Sequence, residues 1–334
     1  MEATGKSQRP AAGGATPGKP VTDVSPEARR RVAVSHPEEL PPKWRARPDE
    51  IVRRVAIGTW NDGFIHAGNL AYMSMLAIFP FFILGSAAFS LIGDQNDRAA
   101  SVGAVLAALP PSVADVIGPA ARAAIEARTG WLLWVGSVVA LWTVSSLIET
   151  VRDILRRAYG TKHTAGFLWH RLGSTGLVIA ATVLLLLALL AQVTIGTAQE
   201  AIEAWSPQLA GAVGTLSLSR AVPTVVAFFS IYLLFYSLAP AAYRTRRYPK
   251  WPGALAVTTW WVTVSLVFPP LIHHMFSYSL TYGSLAGIMI ALFFFWLIGL
   301  GVVVGAELNA ALAHTPEEDE AREMTETDRE GAVR

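Results

Sequence analysis

The sequence contains no cysteine, which removes disulfides, thiolate nucleophiles and thiolate zinc sites from consideration together. It is also short of charge. Only 16% of its 334 residues are Asp, Glu, Lys or Arg, against about 25% in a soluble domain, whereas 52% are hydrophobic. A chain so poor in charge points to lipid rather than water as the medium around its middle. No HExxH spacing and no GxxxxGK[ST] loop occurs, so neither a metal site of that type nor a phosphate-binding loop is present. The expectation is a protein with no cofactor and no resident metal, not an enzyme. An apolar h-region near residue 1 is missing as well, so the first membrane span should itself act as the retained insertion signal.

What the chain does have is apolar runs. Crossing a hydrocarbon core of about 30 Å takes roughly 20 helical residues, and six segments qualify: 69–92, 131–149, 172–196, 221–240, 253–274 and 284–309. The predicted fold is an all-α, polytopic membrane protein of six transmembrane helices with amphipathic interfacial helices. Residues 1–48, rich in Pro, Gly, Ala and charge, read as a disordered cytoplasmic arm. Residues 49–312 form the membrane domain and 313–334 a polar cytoplasmic tail.

Six spans put both termini on one side, and the basic residues then sort sharply. Of the 27 Lys and Arg, 23 fall on the side of the termini and only 4 on the other. Because Lys and Arg are retained on the cytoplasmic face, the N-terminus and C-terminus are predicted inside. Amphipathic stretches flank the spans. Ile51, Val52, Val55, Ala56, Thr59, Trp60 and Phe64 share one helical stripe opposite Arg53, Arg54, Asn61 and Asp62, as in a helix lying in the interface. In the loop after the first span, Ser112 is a predicted N-cap, followed by Val113, Val116, Ile117, Ala121, Ala124 and Ile125 at helical spacing. Residues 198–213 are a weaker case, broken at Pro207.

AYMSMLAIFPFF (71–82), the basic link RDILRRAYGT after the second span, the Pro252-Gly253-Ala254 turn and the closing run YSLTYGSLAGIMIALFFFWLIGLGVVVGAELNAAL (278–312) together resemble the YihY/BrkB family of bacterial inner-membrane proteins, formerly labelled ribonuclease BN. Tyr72, Phe79 and Pro80 match its first span, and Tyr278, Tyr282, Gly283, Ser284, Gly305, Ala306, Glu307 and Asn309 its closing motif. Met73 and the Phe293–Phe295 run depart from the pattern. The resemblance implies a six-helix protein of the bacterial plasma membrane, with envelope or transport roles and no assigned chemistry.

Several residues are candidates for function. An acid inside a span is costly unless paired or hydrated, and Glu307 falls about 35 Å along the sixth helix at 1.5 Å per residue, near the cytoplasmic boundary. It is either an ion-pair partner of Arg152, Arg156 or Arg244, or a proton or headgroup site. His66, Asn69 and Tyr72 share a face of the first span and either line a cavity or bond to neighbouring helices; Asn309 is a further cavity-lining candidate beside Glu307, and with Gly305 it suits close packing. Pro80 should kink the first span. Tyr278 and Tyr282 are belt anchors or an outer gate. Arg152, Arg156, Arg157, Arg244, Arg246 and Arg247 are candidates for anionic lipid headgroups, with Glu149, Arg152 and Asp153 placed for pairing along one helix. His273 and His274 lie on the other side from His66, His163 and His170, which speaks against a shared metal site. These features favour a transporter or flippase-like protein for an amphiphilic or lipid-like substrate. The alternative is a non-transporting scaffold for envelope assembly. The expected partners are membrane lipids, with envelope-assembly proteins or further copies of the chain as possible others, and no nucleic acid; a ribonuclease is disfavoured because the acids are scattered.

Overall fold

The computed structural model describes residues 24–35, 48–89, 103, 106, 109–126, 131–161, 173, 176, 218–275, 285–320 and 324. Within them every regular element is helical: α1 (Pro26–Ser35), α2 (Pro48–Gly58), a π turn (Thr59–Gly63), α3 (Phe64–Phe89), α4 (Pro111–Glu126), α5 (Trp131–Tyr159), α6 (Leu218–Leu238), a short 3-10 turn (Ala241–Tyr243), α7 (Trp251–Met275) and α8 (Ala286–Ala311). Proline opens α1, α2 and α4, where its missing N–H has no intrahelical partner to lose and its fixed φ suits the first turn. Pro111 therefore begins α4, and Ser112, the predicted cap, lies one residue inside it.

α8 is the axis of the body, in contact with α2, α3, α4, α5 and α7. Small residues let it come close. A side chain at Gly299 would collide with the backbone of Ala67 on α3, and one at Gly305 with Val257 and the Gly253 carbonyl on α7. These glycines thus serve packing within the chain, by the small-residue logic of membrane helices. Two apolar cores stack along the axis. One gathers Leu155, Tyr159, Phe235, Leu238, Val257, Val303 and Ala306; the other, toward the start of α8, gathers Phe82, Val113, Ile117, Phe268 and Phe294. The first adjoins the basic loop residues and both chain-terminal segments, and we call it the basic end.

Large apolar side chains also face outward. Trp131, Trp134, Val138, Val139 and Trp142 on α5, Val225, Val226 and Phe229 on α6, and Leu266 and Val267 on α7 are all exposed. Such a wide outward apolar surface fits lipid and not water. Three helical stretches, Trp134–Tyr159, Trp251–Ile272 and Ala286–Ala311, are long and apolar enough to cross a membrane, and Phe64–Ile78 and Thr224–Leu238 are shorter apolar helices. The described residues thus show fewer crossing helices than the six expected, and the third expected span, 172–196, lies outside them apart from Gly173 and Gly176, as does the 198–213 stretch.

Two differences from the sequence reading stand out, and the entry to the first span is more closely defined. Residues 26–35, within the arm expected to lack order, form helix α1. α5 does not end at 149: it is 29 residues long, about 43 Å at 1.5 Å per residue, so the basic stretch expected as a link after the second span, with Arg156 and Arg157, continues the same helix. α2 and α3 are joined by the π turn. Arg54 of α2 is 5% exposed and paired with Glu50 at 3.0 Å, while Val52 and Trp60 face outward; the apolar stripe turns away from the body, as it does in a helix lying in the interface.

The N-terminus of α7 is held by a side chain from the axis. Asn309 accepts a hydrogen bond from the Gly253 N–H at 2.8 Å and donates to the Lys250 carbonyl at 3.2 Å, with no exposed surface. It satisfies a first-turn donor of α7 where water is excluded. Asn309→Ala leaves that donor unmatched and should lower stability by about 2 kcal/mol, read as a fall in Tm of the detergent-solubilised protein.

Candidate functional site

At the basic end a cavity of about 400 Å³ opens between three walls. The first is the π turn and the start of α3, contributing Gly58, Asn61, Gly63 and His66. A π turn places one more residue per turn than the flanking helix and so re-aims its side chains; both flanks are helical, Gly58 at φ −60° and Phe64 at φ −64°. The second wall is the end of α5, with Ile154, Arg156, Arg157, Ala158, Gly160 and Thr161, and the third is α8, with Val303 and Glu307. Val24 and Ser25, just before α1, complete the lining.

Close backbone approach shapes this site. The Glu307 carboxylate lies against Gly58, where any side chain would overlap it. α5 ends in a Schellman motif: the Gly160 N–H donates to the Arg157 carbonyl at 2.9 Å and the Thr161 N–H to the Arg156 carbonyl at 3.0 Å. Gly160 takes φ +72°, a left-handed conformation that glycine adopts without steric cost.

The cavity brings together an imidazole, two guanidiniums and a carboxylate. Arg157 also pairs with Asp153 at 3.0 Å, and just behind it Arg152 pairs with Glu149, the i,i+3 and i,i+4 spacings expected from the sequence. Beside these charges lie Ile154, Val303 and Val24. Chemically, the site can receive a small polar group that both donates and accepts, attached to an apolar remainder. Among the described residues no group of three or more His, Asp or Glu could hold a metal ion.

The sequence candidates separate here. His66 and Glu307 meet in the cavity, as do Arg156 and Arg157. Asn69 and Tyr72 do not line it; both lie on the exposed face of α3. Asn309 holds the start of α7 instead. Tyr278 and Tyr282 lie outside the described residues. Of the loop arginines, Arg244 donates to the Ser237 and Ala239 carbonyls at 2.9 and 3.2 Å, closing the end of α6, and Arg247 pairs with Asp319 at 2.6 Å. Arg246 is exposed.

Comparison with known proteins decides the family. The virulence factor BrkB family model matches residues 59–329. The chain belongs to that family. It is also 29% identical over 258 residues to the ribonuclease-like protein YfkH of Bacillus subtilis (strain 168), covering 76% of this chain and 91% of that one. No solved structure matches. The match to the BrkB family includes the π turn, α3, α5 and α8, so the cavity lining from Asn61 onward belongs to the family region; α1 and α2, with Val24, Ser25 and Gly58, precede it.

Sequence reasoning passed over two features near the site, a capping box and a buried lysine. Thr315 and Glu318 form a capping box beyond α8: the Glu318 N–H donates to the Thr315 hydroxyl at 3.3 Å, and the Thr315 N–H donates to the Glu318 carboxylate at 2.9 Å. The Thr-Pro-Glu-Glu string at 315–318 carries the T-x-x-E signature that signals it. Lys250 is the second feature. Only 4% exposed, it donates to the Thr245 and Tyr248 carbonyls at 2.8 and 2.6 Å.

Burial, and after it the neighbouring Arg244 guanidinium, push the Lys250 ammonium down to about 8 from its usual 10.5. The folded protein thus gives up this proton before the unfolded chain does. Between those two values the unfolded state binds more protons, so the contribution of Lys250 to stability rises with pH there. Measured as Tm in detergent, the wild type should gain on Lys250→Met as pH climbs from 8 toward 10.5; a gap that narrows over that range contradicts the assignment.

Proposed function

We propose that this BrkB-family membrane protein spans a bacterial plasma membrane six times with both termini cytoplasmic. On this reading it moves or accommodates an amphiphilic, lipid-like substrate whose polar head enters the cavity at the basic end. The observation that carries the proposal is the meeting of His66, Arg156, Arg157 and Glu307 in one cavity on a body whose outer face is apolar. A charged head and an apolar tail find matching surroundings there. Orientation is supported by the skew of basic residues, 23 of 27 on the side of the termini under six spans, and by the docking of α1 on the end of α8, which puts the two terminal segments together.

Without a phosphate-binding loop, movement of the substrate would draw on an ion gradient or be passive. Membrane lipids are the proposed partners. We propose neither enzymatic chemistry nor a nucleic-acid partner, because several guanidiniums of the basic end, those of Arg29, Arg244 and Arg247 among them, are engaged by carbonyls or carboxylates of the chain itself. A second reading, a non-transporting scaffold for envelope-assembly proteins or for other copies of this chain, draws on the exposed Arg246 and the outward apolar faces of α5 and α7.

Liposomes carrying purified protein and fluorescent lipids separate the two. The wild type should accelerate transbilayer movement of at least one lipid class, and Glu307→Gln should slow it about tenfold, ~1.4 kcal/mol, with the Tm preserved. No acceleration across a lipid panel, together with stable co-purifying proteins, would favour the scaffold.

A further inference from the structure

One wall of the cavity is made by a segment held in a different way from the rest. α1 begins at Ser25, whose hydroxyl accepts from the Ala28 N–H at 3.3 Å and whose carbonyl accepts from the Arg29 N–H at 3.0 Å, so the helix is N-capped beside the cavity. Val24 and Ser25 line that cavity, and Ser25 Oγ lies against Gly160 on the opposite wall. From there α1 runs over the C-terminal end of α8.

Nearly everything that fixes α1 is charged or polar. The Arg29 guanidinium donates to the carbonyls of Ala310, Ala311 and Ala313 at 3.2, 3.4 and 2.6 Å and pairs with Glu318 at 3.5 Å, a cation seated on the negative end of the α8 dipole. Arg30 pairs with Glu317 at 2.8 Å. The Tyr243 hydroxyl donates to the Glu27 carboxylate at 3.0 Å. Apolar burial on α1 amounts to the small residues Pro26, Ala28 and Ala33, and Val34 is 70% exposed. The membrane body, by contrast, is held by large buried side chains such as Tyr159, Phe235 and Leu155.

We infer that α1 is a lid: a charge-held helix that closes the basic-end cavity when docked on the α8 carbonyls and the acidic turn 315–319, and opens it when released. The Arg30–Glu317 pair is exposed enough to be weak and screened by salt, and the buried Arg29–Glu318 pair is screened less; neither belongs to the apolar core beneath, so α1 can leave without unfolding the body. A substrate or surface that competes for Arg29, Arg30 or the acidic turn shifts the lid toward its open state by its difference in affinity for the two. This inference rests on reading the cavity as the entrance for a substrate, yet it concerns access and not movement across the bilayer.

The absence of native cysteine makes the test direct. Ala158 lines the cavity and is 2% exposed. In full-length protein carrying Ala158→Cys, the rate of modification by a sulfonated maleimide reports whether the cavity is open. The rate should rise between about 0.05 and 0.5 M salt. Arg30→Glu and Glu317→Arg, each alone, should raise it about threefold to tenfold at the lower salt, and the two together should return it to the slow rate. A rate indifferent to salt, or reversals that change nothing, overturn the lid; so does a double reversal that stays fast, which would mark simple damage. The salt arm needs no charge variant and stands even if a reversal impairs folding. A protein whose labelling follows the expected pattern but which moves no lipid keeps the lid and loses the proposed function.

Discussion

Close packing against α8 is the constraint on which the rest of the structure depends. In a lipid surround a backbone donor or acceptor left unmatched costs several kcal/mol, and a polar residue between helices must be fully partnered. α8 meets that demand with small residues where its neighbours approach. Gly299 admits the Ala67 backbone and Gly305 the Gly253 carbonyl, while Asn309 supplies the one amide needed at the start of α7. With α3 and α7 fixed on the same axis, the ends of α2 and α5 are drawn to Glu307. The cavity is the space these helix ends leave.

Its electrostatics follow from where helices stop. α5 runs past the apolar span and carries Arg156 and Arg157 with it, and Gly160 then ends the helix in a left-handed turn. Glu307 is tolerated because Gly58 offers no side chain to exclude its carboxylate. An aromatic cluster supports this layer from the side of α6: Tyr243 lies 4.8 Å from Tyr159 and 5.0 Å from Tyr248 between ring centroids. Burial first, and then the Glu27 carboxylate, raise the Tyr243 hydroxyl above its usual range, so it remains a neutral donor to Glu27 in any physiological medium.

Much of this was legible in the chain. The apolar runs mark the helices because length and hydropathy alone decide whether a segment can sit in lipid, and α3, α5, α6, α7 and α8 all lie where those runs do. Glu307 and His66 were each recognisable as candidates near the cytoplasmic boundary, from helical rise and from a polar stripe; that they share one cavity comes from the structure. The placing of Asn69 and Tyr72 was not, because spacing of three and four residues fixes a shared stripe but not which way the stripe turns, and here only His66 reaches the cavity. Asn309 looked like part of the same cluster as Glu307, but two residues along a helix is about 200° of rotation, enough to put it on the face toward α7. α1 escaped notice because its anchoring comes from the carbonyls of α8, which no pattern of side chains in the arm reveals. The π turn leaves no mark beyond Gly58 and Gly63, small enough to pass Glu307 and Val303.

The central claim is that the end bearing the cavity, Arg246 and both terminal segments faces the cytoplasm while α4 faces outward. Single cysteines settle it cleanly in a chain that has none: Asp115→Cys on α4 and Arg246→Cys on the basic loop, both at exposed positions, treated in intact bacterial cells or spheroplasts with a membrane-impermeant maleimide. The account predicts that position 115 is labelled directly and position 246 only after the membrane is permeabilised. Labelling of 246 in intact cells, with 115 protected, would contradict it.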